Sequence, residues 1–345
     1  MSYFKNKKFF VTGGSGFIGG ALVRRLVAEG AQVKVLDNYL RGTPRHLASV
    51  MDKIELVQGD VRDLETVINA SKGCDSFLHL AYLNGTEYFY TKPELVLEIA
   101  VKGTMNAIDA AIKNGIKDFV YASSSEVYQT PPVIPSPETV PLIVPDVMNP
   151  RYSYGGGKII GELLCINYGR KFFDRMTIFR PHNVYGPDMG GEHVLPQFVL
   201  RAKAVVDSTP AAEVPFAIQG EGTETRSFIY IDDFTDGLLL VIEKGRHNEI
   251  YHIGTQDEIS MRDLAARVVE MFGRQPVIQH LPLQAGSTPR RCPDITKLKT
   301  LGFAPKTPLA AGLKHTFDWY TQNASLYPGP TATSKTPDLT PAPKR

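Results

Sequence analysis

A doubly wound α/β fold, a parallel sheet with helices on both faces followed by a smaller mixed unit, is what this sequence predicts, and three observations carry the prediction. The apolar run Phe9-Phe10-Val11-Thr12 passes directly into Gly13-Gly14-Ser15-Gly16-Phe17-Ile18-Gly19 and then into helical periodicity through Ala21, Leu22, Leu26 and Val27. A second strand pattern, Gln32 to Leu36, ends on Asp37, eighteen residues past Gly19. Strand and helix patterns then alternate over roughly the first 180 residues, as a parallel sheet with crossover helices requires.

Each element has a local reason. Gly13, Gly16 and Gly19 have the spacing that permits a tight turn, close approach of a pyrophosphate and close helix-to-strand packing, with Phe17 and Ile18 opening the helix whose amino end faces the phosphates. A carboxylate at Asp37 accepts hydrogen bonds from an adenosine ribose and repels a ribose phosphate, which favours NAD over NADP. Asn38 beside it and Arg41 are the features that would suit a phosphate instead. The strand Ile54 to Val57 leads into Gly59-Asp60-Val61-Arg62-Asp63, with Asp60 and Val61 placed to meet the adenine. Ser76 to Ala81 reads as a buried strand whose small end, Leu80 and Ala81, lies against the cofactor, and His79 within it reads as structural. An amphipathic helix from about Pro93 to Asn114 returns to the strand Lys117 to Ala122. Thr177 to Pro187 reads as a strand opening into a loop, with Pro181 at the cofactor. Phe228 to Ile231 reads as a strand, with Asp232 and Asp233 capping the next helix, and Met261 to Phe272 and Leu309 to Tyr320 carry helical periodicity. The expected division is a dinucleotide-binding Rossmann domain over residues 1–183 plus about 227–255, a substrate-binding domain over about 184–226 plus 256–325, and a disordered tail at 326–345, where proline, threonine, serine and lysine dominate.

The chemistry centres on Ser123-Ser124-Ser125-Glu126-Val127-Tyr128 and Tyr154-Gly155-Gly156-Gly157-Lys158. Tyr154 and Lys158 stand four apart, so on a helix they share one face, and an ammonium beside a phenol favours phenolate and lowers its pKa toward neutrality. Tyr154 then serves as a general base toward a sugar hydroxyl. Ser124 follows a strand, at the end of the sheet where open α/β folds bind ligands, and its hydroxyl can bridge substrate and tyrosine. Three consecutive glycines in such a helix weaken it by about 1 kcal/mol each relative to alanine, which points to close packing there.

Composition narrows the classes. A chain of 345 residues with 43% hydrophobic content can bury a large core, and a net charge of +2 gives no nucleic-acid signature. No apolar run approaches the roughly 18 residues of a bilayer span, and Lys5, Lys7 and Lys8 precede a short strand rather than a secretory signal. Cys74, Cys165 and Cys292 are far apart, and the eight histidines form no metal-ligand spacing, so free thiols, no metal and a cytoplasmic setting are expected.

Taken in order, the glycine motif, Gly59-Asp60-Val61-Arg62-Asp63, Ser124 with Val127-Tyr128, Tyr154 with Lys158, Arg180 with Asn183 and Tyr185-Gly186-Pro187, and Arg226-Ser227-Phe228 resemble the extended short-chain dehydrogenase/reductase family, specifically its NAD-dependent nucleotide-sugar epimerases and dehydratases, over roughly residues 7 to 325. The resemblance implies that Tyr154 deprotonates the sugar C4 hydroxyl, that Lys158 binds the cofactor ribose, and that the first product is a bound 4-keto sugar. It implies that Asn183, Val194, Leu195, Arg226 and either Arg290 or Arg291, with Arg291 preferred, hold the nucleoside diphosphate, guanidinium being apt for phosphate. It further implies a homodimer. Ala100, before Val101-Lys102-Gly103-Thr104, departs from the family, where many relatives have asparagine. Glu126 and Ser125 resemble the pair that sits near C5 in the sugar 4,6-dehydratases and uronic-acid decarboxylases, where a carboxylate can remove the C5 proton once C4 is a ketone. Epimerase is therefore the broad expectation, with dehydratase or decarboxylase the close rival. A C4 dehydrogenase that releases the keto sugar and a catalytically silent NAD-sensing scaffold are the remaining readings.

Overall fold

The computed structural model of the chain describes residues 2–282 and 288–327. Its central sheet has seven parallel strands. Six come early: β1 (Lys8–Thr12), β2 (Gln32–Asp37), β3 (Ile54–Gln58), β4 (Ser76–His79), β5 (Asp118–Ala122) and β6 (Arg175–Pro181). After β7 (Val184–Tyr185), β8 (Glu213–Gln219), β9 (Thr225–Ser227) and β10 (Ile229–Tyr230), the chain returns to add β11 (Glu249–Ile253) beside β6. The order β11-β6-β5-β4-β1-β2-β3 reverses the winding between β1 and β4, which opens a crevice at their carboxyl ends.

Both faces of this sheet are covered, and the sequence of β1 shows how. Phe9 and Val11 point into one apolar cluster with Leu22, Leu26 and Phe234, while Phe10 points into the other with Phe77, Phe119 and Met176. A third cluster, built on Leu195, Phe198, Phe216 and Leu264, packs among the smaller sheets. There β8 pairs with β13 (Gln275–Leu281), β7 pairs with β10, and β9 lies between β12 (Glu258–Ser260) and β14 (Arg290–Arg291).

Three local expectations change. The helix from Pro93 is interrupted by a π turn over Ile99–Gly103, where Gly103 lies so close to Val61 that a Cβ would come within 2.8 Å of the valine side chain. Asp232 and Asp233 do not cap: the helix already begins at Ile231, and Asp233 instead accepts from the backbone N–H of Lys306 and Thr307 at 3.0 and 2.8 Å. The tail does not begin at Leu326. That residue ends the Ala324–Leu326 turn, and Tyr327 packs on Trp319 and Tyr320 while its hydroxyl donates to Asp188 Oδ1 at 2.6 Å. An aromatic ring beside an apolar surface outweighs its polar sequence neighbours. The rest of the expected tail, 328–345, lies outside the described residues.

A buried ion pair ties the sheet to its longest helix. Arg180 on β6 donates to Glu162 of the Ser153–Phe172 helix through Nε at 2.8 Å and Nη2 at 2.5 Å, with both residues almost wholly out of solvent. Ser123 also donates to Glu162, and Arg180 also donates to the Tyr128 hydroxyl. Removing one charge strands the other in a dry interior, so Glu162→Ala is expected to cost about 3–5 kcal/mol in urea unfolding. A loss below about 1 kcal/mol, the value of an exposed pair, would contradict this.

Candidate active site

One cleft of about 1460 Å³ runs along the carboxyl ends of the strands. Single small-molecule pockets occupy about 300–1,000 Å³, so it has room for two extended ligands. The cofactor half is built by the glycine turn. Gly13, at φ +72°, donates to Leu36 O at 2.8 Å, and a Cβ on it would come within 2.7 Å of the Ala81 backbone. A Cβ on Gly19 would strike the carbonyl oxygen of Gly13. Gly16 opens the Phe17–Ala28 helix with no side-chain cap, leaving first-turn N–H groups available to an anion. At the end of β2, Asp37 accepts from Ser15 N at 2.9 Å and Tyr39 N at 2.8 Å. Arg41 is held away from a ribose phosphate role by Glu192, which it grips through both Nη atoms at 2.8 and 3.2 Å. Asp60 is bound to Asn38 at 2.9 Å and to Arg62; burial works to raise it, but these partners hold it down to about 2. Phe17, Ile18, Asn38, Val61, Leu80, Ala81 and Pro181 all line the same half. The cradle fits a dinucleotide.

The reacting half lies beyond Ala81. Ser124 ends its strand extended and caps the Ser125–Val127 turn, its Oγ accepting from Glu126 N at 3.1 Å. Tyr154 and Lys158, one turn apart on the Ser153–Phe172 helix, both face the cleft, and Lys158 Nζ donates to the Ala122 carbonyl at 2.6 Å. The expected lowering of the tyrosine does not occur in this structure. Burial pushes Tyr154 up to about 12, with a hydrogen bond from Ser124 opposing and Glu126 adding to the rise. Burial also brings Lys158 down to about 7, so the cation that was to favour phenolate is itself partly discharged. His79 is structural, neutral at a value near 3 through burial and bonded to Thr12 Oγ1 at 2.8 Å.

On the substrate wall, Glu126 forms an ion pair with Arg291 at 2.6 Å. Burial works to raise its carboxyl, but Arg291, then Arg151 and Arg226, outweigh burial and hold it below its usual range. The alternation of a strand separates the two candidate arginines: Arg291 faces the cleft, whereas Arg290 turns outward to Glu258 at 2.5 Å. Asn183 lies on the wall and donates to Ser227 O at 2.8 Å. Val194, Leu195 and Arg226 do not reach it. The side chain of Leu195 is wholly buried in the third apolar cluster, and with Val194 it borders an adjoining hollow of about 80 Å³ that shares Asn183, Val184, Met189 and His193 with the cleft. Arg226 donates to Thr225 O and Thr288 O at 2.8 and 2.6 Å, reaching Glu126 only through its charge.

Sequence reasoning missed several wall residues. Arg151, three residues before Tyr154, has a buried Nε without a hydrogen-bond partner among the described residues. Tyr82 lies beside Lys158. Across the mouth, His46 touches Ser15 O through Nδ1 at 2.7 Å and Asp188 through Nε2 at 3.1 Å, while Arg45 and Tyr327 also bind Asp188. Of these, only the position of Arg151 beside the tyrosine motif offered a sequence signal.

With a doubly wound fold, a glycine cradle and a serine, tyrosine and lysine on one wall, the class is that of a dinucleotide-dependent enzyme. The chain belongs to the NAD dependent epimerase/dehydratase family, whose model matches residues 9–254. It is 29% identical over 326 residues to the UDP-N-acetyl-alpha-D-glucosaminuronate decarboxylase of Bacillus cytotoxicus, covering 91% of this chain and 98% of that one. It is 30% identical to the GDP-mannose 3,5-epimerase of Arabidopsis thaliana, covering 91% and 82% of the two chains. The dTDP-glucose 4,6-dehydratase DesIV of Streptomyces venezuelae, solved with NAD bound, superposes with a TM-score of 0.82 at 28% identity, over 92% of this chain and 98% of that one. The protein is thus an NAD-dependent enzyme of the nucleotide-sugar epimerase, dehydratase and decarboxylase family. Gly19→Ala, which drives a methyl group into the Gly13 carbonyl, is expected to weaken NAD binding at least tenfold by calorimetry; unchanged affinity would remove the cradle from the cofactor site.

Proposed function

We propose that this enzyme oxidises C4 of a nucleotide-linked hexuronic acid and then decarboxylates it. The observation that carries the reading is the Glu126–Arg291 pair, with Arg151 beside it, on the wall that also presents Ser124 and Tyr154. Two cations and one carboxylate at the sugar end suit a substrate with an anionic group of its own, and guanidinium holds a carboxylate in bidentate fashion. Decarboxylases of nucleotide-linked uronic acids are also among the relatives.

In this reading Tyr154 takes the proton of the C4 hydroxyl and Ser124 holds the oxygen. NAD, when bound, would supply the acceptor and later the donor of the C4 hydride. The resulting C4 ketone stands β to the C6 carboxylate. Breaking the C5–C6 bond sends its electron pair toward the C4 oxygen, which Ser124 and Tyr154 steady, and carbon dioxide leaves. C5 then takes a proton from solvent, and Tyr154 returns its proton to the C4 oxygen as C4 is reduced back to the alcohol. Arg291 and Arg151 orient the carboxylate, and Glu126 positions Arg291. Dehydration would need a proton donor for the leaving C6 oxygen, and the neighbour of Glu126 on that wall is Ser125, an alcohol. A plain C4 epimerase would leave Glu126 without a task at C5.

The test is mass spectrometry of reactions with NAD and a panel of UDP-, dTDP-, GDP- and CDP-linked sugars and uronic acids in deuterated water. Loss of carbon dioxide with one deuterium at C5 is expected from a uronic acid. Loss of water, or an isomer of unchanged carbon count, would replace the decarboxylase with a dehydratase or an epimerase, and accumulating NADH would indicate release of the keto sugar. Tyr154→Phe is expected to abolish hydride transfer with NAD still bound; retained turnover would overturn the mechanism. A carboxyl whose folded value is depressed stays ionised down to that value, so activity needing ionised Glu126 is present above it and lost as pH falls through it. Glu126→Gln should remove this acid limb, and a limb retained in that variant would take Glu126 out of the reaction.

A further inference from the structure

Lys158 is poorly furnished with counter-charge for a buried ammonium. Its neighbours on its own helix are Glu162, committed to Arg180, and Cys165, a free thiol. From β4 comes His79, which burial keeps neutral, and from β5 comes Tyr121, whose ring centre is 5.1 Å from Nζ. Tyr154 is 6.0 Å away by the same measure. Besides the neutral Ala122 carbonyl, which accepts from Nζ at 2.6 Å, the close partner is Tyr82, just past β4: Lys158 Nζ sits over its ring at 3.7 Å from the centre. The Tyr82 hydroxyl donates to Tyr154 O at 3.3 Å, and the two rings meet edge to face at 5.0 Å. Tyr82 therefore touches both reacting residues at once.

The helix is shaped to admit this ring. A Cβ at Gly157 would strike the Tyr82 hydroxyl and would come within 2.6 Å of the Ala100 methyl. Glycine at 157 and alanine at 100 together open the slot that Tyr82 fills, which accounts for one of the three helix glycines on packing grounds. Its neighbour Gly155 is similarly crowded, by Gln129 Nε2 and Glu126 O at 2.8 and 3.0 Å.

We propose that Tyr82 is the positioning residue for Lys158: its ring, seated in the slot at Gly157 and Ala100, holds the ammonium against its face. The inference rests on the reading of Lys158 as the lysine that meets the cofactor ribose. Cation–π attraction favours the charged lysine, and it is strongest where the pair is desolvated, as here. Since burial, only partly offset by Cys165 and Glu162, brings Lys158 to about 7, the ring acts on a group whose charge is undecided at neutral pH.

The test follows Lys158 directly, without any sugar substrate. In the full-length protein with lysine labelled at Cε, the Lys158 resonance is identified by its loss in Lys158→Met and titrated with and without NAD. Tyr82→Leu, which keeps bulk and removes the π face, should lower the titration midpoint by about one pH unit and weaken NAD binding several-fold at pH 7. Tyr82→Phe should leave both near the wild-type values. If the leucine variant does not fold, phenylalanines of increasing fluorination at position 82 keep the shape while weakening the ring face, and should lower the midpoint stepwise. A midpoint unmoved by leucine or by the fluorinated series overturns the proposal. A shift as large in Tyr82→Phe as in Tyr82→Leu also overturns it, since the hydroxyl rather than the ring would then hold the lysine. Because the readout needs neither sugar nor turnover, its failure is separate from failure of the decarboxylase reading.

Discussion

The buried pair of Arg180 and Glu162 is the constraint on which the rest of the site depends. It joins β6 to the helix that carries Tyr154 and Lys158, and through Ser123 it reaches the end of β5 from which Ser124 projects. On the other side of Arg180, Tyr128 passes the network to His252 of β11 at 2.6 Å. Three strand ends and the catalytic helix are thereby held in one hydrogen-bonded unit beneath the cleft. Such a pair is weak evidence of stability, because desolvation offsets much of the attraction, but it allows few alternative packings of the helix.

Upon that platform the site divides its electrostatics. The cofactor half relies on backbone: a turn too tight for side chains and a helix end with uncommitted N–H groups. The substrate half relies on side chains, with Arg151 and Arg291 set against Glu126. Between them, burial moves tyrosine and lysine in opposite directions, toward phenol and toward free amine, so neither is charged cheaply. The contacts of Asp188 with Arg45, His46 and Tyr327 close the cleft mouth over the glycine turn and bind segments far apart in the chain into one wall.

Most of the sheet was legible because its strands are buried on both faces and therefore read as unbroken apolar runs. The cofactor cradle was legible because a tight turn constrains residue type locally, and the tyrosine and lysine because one helical turn separates them. The side chain of Leu195 packs inward, which spacing alone does not signal, since a helix can turn a residue to the core as readily as to a ligand. The guanidinium of Arg226 takes the backbone carbonyls of Thr225 and Thr288, a pairing that depends on a distant segment.

What the sequence by itself determined is everything that depends on near neighbours: the strand pattern, the glycine turn, the acidic end of β2, and the spacing of Tyr154 and Lys158. What only the tertiary structure decided is everything that depends on pairs distant in the chain. Arg291 rather than Arg290 meets Glu126, 165 residues away, and Tyr82 reaches Tyr154 across 72 residues. The state of charge of the central tyrosine also belongs to this second group. Spacing specifies which residues share a helix face, but the dielectric around them is set by the whole packed interior, and here it raises the tyrosine.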